Sequence, residues 1–67
     1  MNGDRPDFTG MTVNERLYFA GLFDKWDAAC LARDRDAMLA IMAQVDLAEA
    51  GRATVDAVLA NPAKYGF

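Results

Sequence analysis

The chain has no serine and no histidine, and Cys30 is its only cysteine. Without serine or histidine, neither a Ser-His nor a Cys-His nucleophile pair can form. A lone thiol makes no internal disulfide. With no imidazole beside it, a structural zinc site lacks its preferred ligands. Gly21, Gly51 and Gly66 are isolated and build no phosphate-cradling loop. Basic residues are few as well. Arg5, Arg16, Lys25, Arg33, Arg35, Arg52 and Lys64 are scattered among ten acids, for a net charge of −3. That pattern offers no patch to neutralise phosphates, so no nucleic acid is expected as a partner. No apolar run approaches the roughly 20 residues that span a bilayer, so no membrane partner is expected either. The opening MNGDRPDFTG lacks the apolar core of a signal peptide. The expected compartment is cytoplasmic, where a lone thiol stays reduced.

What is present is compact and apolar. The 67 residues are 54% hydrophobic and 25% charged, which suits one globular domain. Below roughly 70–80 residues a single core seldom supplies more than about 3–5 kcal/mol. With disulfide and zinc excluded, two supports remain: unusually good helix packing, or a homodimer. The sequence does not choose between them.

Leu22–Arg33, LFDKWDAACLAR, is the organising stretch, with the only tryptophan. Phe23, Trp26, Cys30 and Arg33 recur at steps of three or four, which places them on one helical face. Before it, Thr12-Val13-Asn14-Glu15 fits a capping box, with Met11 placed as a hydrophobic staple. Val13, Leu17 and Ala20 share a face, so a helix is expected over 13–20. Gly21 then sits where a left-handed residue closes a helix, followed by the apolar Leu22. One bent helix over 13–32 is the alternative. Arg33-Asp34-Arg35-Asp36 is a polar break with Asp34 as N-cap. Ala37, Met38, Ile41, Met42 and Val45 stripe a third helix, ending near 44–46. A fourth runs from about 48 to 60, with Ala50 or Gly51, Thr54 or Val55, Val58 and Leu59 inward. Arg52 can pair with Glu49 and Asp56 on its wet side. Asn61-Pro62 stops it, with Asn61 in the left-handed C′ conformation. Tyr65 is expected to fold back against the helices.

No stretch alternates as a strand does. The expected fold is all-α, a small bundle of about four short antiparallel helices arranged as two αα-hairpins. Residues 1–10 are polar with two glycines and a proline, and read as a mobile N-terminal arm before a single helical domain over 11–67. Met11 is a candidate natural start. The alternative is that Phe8 docks on the core.

TVNERLYFAGL at 12–22, FDKWDAACLARDRDAML at 23–39 and ANPAKYGF at 60–67 together resemble an uncharacterised family of short alphaproteobacterial proteins. Those proteins begin near MTVNERL and end in a PxxYG-type tail. The resemblance covers residues 11–67 and implies no catalytic or binding residue.

Candidate sites are therefore argued from the residues alone. Cys30 lies on the tryptophan stripe, where a cysteine acts as a small apolar residue. Asp24 with Asp27, and Asp34 with Asp36, are acid pairs that read as solvated surface and caps rather than acid–base machinery. No cofactor is implied. Tyr18, Phe19 and Phe23 cannot all point inward beside Leu17, Leu22 and Trp26. At least one is expected at the surface as a candidate interface. The expected function is a small non-catalytic interaction module, not an enzyme, that binds itself or another protein. The alternative is an inhibitor or immunity-type protein covering a basic partner with Asp24, Asp27, Asp34 and Asp36.

Overall fold

The structure, a computed structural model, describes residues 8–67. It is all-helical: α1 (Val13–Phe19), α2 (Phe23–Ala32), α3 (Arg35–Gln44) and α4 (Ala50–Ala60), closed by a 3₁₀ turn over Pro62–Tyr65. Successive helices are antiparallel neighbours on short loops. α3 packs as broadly on α2 as on α4, which joins the two hairpins into one core. Among the described residues no helix is long and apolar enough to cross a membrane.

The expected cap of α1 is present. Thr12 Oγ1 accepts from the Glu15 amide at 3.2 Å, and Glu15 Oε1 accepts from the Thr12 amide at 2.9 Å. That hydrogen bonding holds the Glu15 carboxyl below its ordinary pKa. The staple takes another form. The residue four positions after the cap is Arg16, and its Nε donates to the Met11 carbonyl at 3.0 Å.

The ends of α1, α2 and α3 use one device. At the end of α1 the Leu22 amide donates to Leu17 O and the Gly21 amide to Tyr18 O, with Gly21 at φ +70°. These are the two bonds of a Schellman motif, and both apolar partners, Leu17 and Leu22, are buried. The pattern recurs after α2, with Asp34 bonded to Ala29 and Arg33 to Cys30. After α3, Leu47 bonds to Met42 and Asp46 to Ala43. Arg33 and Asp46 fill the left-handed position without being glycine, at φ 56° and 63°. Arg33 therefore leaves the tryptophan face on which its spacing put it. It lies beyond the last turn of α2, and its Nη1 donates to the carbonyls of Cys30 and Leu31. The tail closes the same way, Phe67 to Pro62 and Gly66 to Ala63, with Gly66 at φ 90°.

Two tail expectations are corrected. Asn61 is extended at φ −148°, because the following proline disfavours both helical and left-handed backbone there. Phe67, not Tyr65, packs against the core, while Tyr65 is 44% exposed. The turn carries the chain back only after Gly66 reverses it.

The core takes Leu17, Trp26, Cys30, Met38, Met42 and Val55 from all four helices. Phe8 is also buried, as in the alternative that docks it on the core. A turn with Gly10 at φ 81° bonds the Met11 amide to Phe8 O and folds the ring inward. The remainder of the expected arm, 1–7, lies outside the described residues. Arg16 secures this corner. Its guanidinium lies 5.9 Å from the Phe8 ring centre, and Nη1 donates to Val45 O, at the end of α3, at 2.8 Å. Asp56 accepts from Arg35 across α3 and α4, at 3.0 Å.

Candidate functional site

The aromatic surplus resolves residue by residue. Leu17 takes the inward position of α1. Tyr18 and Phe19 follow at roughly 100° and 200° around the axis and leave the core. They are 80% and 61% exposed. Phe23 is half-buried and packs on the core. Leu31 is 61% exposed and was not singled out by its spacing, although it falls one step beyond the inward Cys30.

Asp24, Asp34 and Asp36 are exposed. Asp34 caps α3, its Oδ1 accepting from the Ala37 amide at 3.2 Å. Asp27 is half-buried and faces a groove.

That groove has a volume of about 550 Å³. Val13 and Asn14 of α1, Phe23, Trp26 and Asp27 of α2, and Thr54 and Val58 of α4 line it. Tyr65, Gly66 and Phe67 of the tail close its end. Its residues come from four separate stretches, so no local pattern announces it. Among the described residues, Asp27 is its only acid, no lysine or arginine lines it, and the Asp27 carboxylate has no hydrogen-bond or ion-pair partner.

Cys30, one turn beyond Trp26, has no exposed surface. Burial pushes its thiol up to about 11, Asp27 adds to the rise, and Arg33 opposes it. A thiol held neutral is a poor nucleophile. Among the described residues no group of acids and thiol is placed to hold a metal ion. Neither the protein families nor the curated proteins and solved structures contain a match to this chain.

Proposed function

We propose that the chain is a small non-catalytic helical interaction module that docks through Tyr18 and Phe19, and that the occupant of this face is a second copy of the chain. The exposure of two adjacent aromatic side chains carries this reading. The core closes without them, so they are free to bury area elsewhere, and aromatic residues supply much of the energy of protein interfaces. The size of the chain supports the same choice, since small domains commonly gain stability by association. A cytoplasmic setting fits the single reduced thiol. The inhibitor reading draws on three exposed acids, Asp24, Asp34 and Asp36, because Asp27 is half-buried and faces the groove.

The test is a dilution series followed by amide NMR. Self-association through this face moves the Tyr18 and Phe19 resonances with concentration and leaves those of α4 still. Resonances that stay fixed throughout, or that move only elsewhere, overturn the reading.

A further inference from the structure

The groove combines aromatic walls with one half-buried carboxylate, and among the described residues no lysine or arginine lines it. We propose that it receives a lysine or arginine side chain from another polypeptide. Phe23, Trp26, Tyr65 and Phe67 line it, and aromatic faces attract cations most where water is partly excluded. One of these rings already does so, since the Lys64 ammonium lies 5.9 Å over the centre of Tyr65. Asp27 supplies the opposite charge, and a partly desolvated carboxylate gains from a cation beside it.

Among the described residues, three of the chain's own cations are engaged with other groups. Arg16 bonds to Met11 and Val45, Arg33 to the end of α2, and Arg35 to Asp56. The space lies within the roughly 300–1,000 Å³ of ligand-holding clefts. At about 550 Å³ it exceeds a single side chain, and leaves room for flanking backbone beside Asn14 and Thr54. A polypeptide fits that division into a charged end and a polar border better than a bare amine. Tyr18 and Phe19 do not line the groove, so this proposal stands or falls apart from self-association.

Trp26 is the only tryptophan and forms part of the wall, so its emission reports occupancy. The probes are capped alanine peptides with a central lysine, arginine or norleucine, and butylamine alone. The expected result is saturable change with the lysine or arginine peptide, and binding at least about tenfold weaker with norleucine. Salt should weaken the basic peptides and not the neutral one. Asp27→Asn should remove the preference while helicity and thermal midpoint hold. The salt dependence of the unaltered chain gives the same answer if that variant folds poorly. Equal binding of lysine and norleucine peptides, or no saturable binding, overturns the proposal. Butylamine binding as tightly as the peptides overturns the polypeptide as occupant.

Discussion

Gly51 of α4 lies so close to Met42 of α3 that a β-carbon on Gly51 would come within 2.5 Å of Met42 Cβ. The two helices cross there at glycine distance. Alanine is the better helix former by about 1 kcal/mol. Its methyl would meet the root of a side chain rather than a movable tip, and overpacking of this kind costs about 1–3 kcal/mol. Gly51→Ala should therefore lower stability, read as a lower urea midpoint with an unchanged slope.

Gly21 is the opposite case. It has open space around its missing side chain but a φ of +70°. Gly21→Ala should cost about 1–2 kcal/mol through backbone strain alone. Gly21→Asn should cost less, because asparagine tolerates the left-handed region, whereas Gly51→Asn should cost more than Gly51→Ala. Denaturant titration of the four variants checks the crossed order.

Arg16 holds the Met11 and Val45 carbonyls at once. Arg16→Ala should cost about 1.5–3 kcal/mol, the range for hydrogen bonds to a charged donor. Arg16→Lys should recover only part, since an ammonium cannot reproduce the fork that spans both carbonyls. Amide exchange should quicken at Phe8–Met11 before it does in α4.

Cys30 links stability to alkaline pH. Its pKa is raised in the fold from 9.0 to about 11. The folded state holds the proton that the unfolded chain releases. The contribution is therefore whole below pH 9 and is lost as pH rises from 9 toward 11. The thermal midpoint should fall across that window, and Cys30→Ala should flatten the fall attributable to the thiol. In the native chain iodoacetamide should react slowly, and rapidly once urea is added.

Local chemistry made much of the fold legible. The Thr12–Glu15 box, the Gly21 corner, Asp34 as a cap and the stripe through Trp26 and Cys30 each depend on residues within a few positions. What the sequence hides is of two kinds. Left-handed backbone at Arg33 and Asp46 carries no glycine to signal it. Arrangements across the chain, such as Arg16 bonded to Val45 or Tyr65 and Phe67 lining one groove with Asp27, depend on how the helices meet. Crowding around Leu17 makes it legible that at least one of Tyr18, Phe19 and Phe23 is exposed, whereas which of them are depends on how the helices meet.

Self-association through Tyr18 and Phe19 is tested most directly by the mass of the chain in solution, measured by light scattering on a sizing column over a wide range of concentration. The predicted result is a mass near twice 7.3 kDa at high concentration. The double variant Tyr18→Ser, Phe19→Ser should fall to the single mass with its helical circular dichroism intact. A chain that remains at 7.3 kDa throughout, or a double variant that still dimerises, would contradict it.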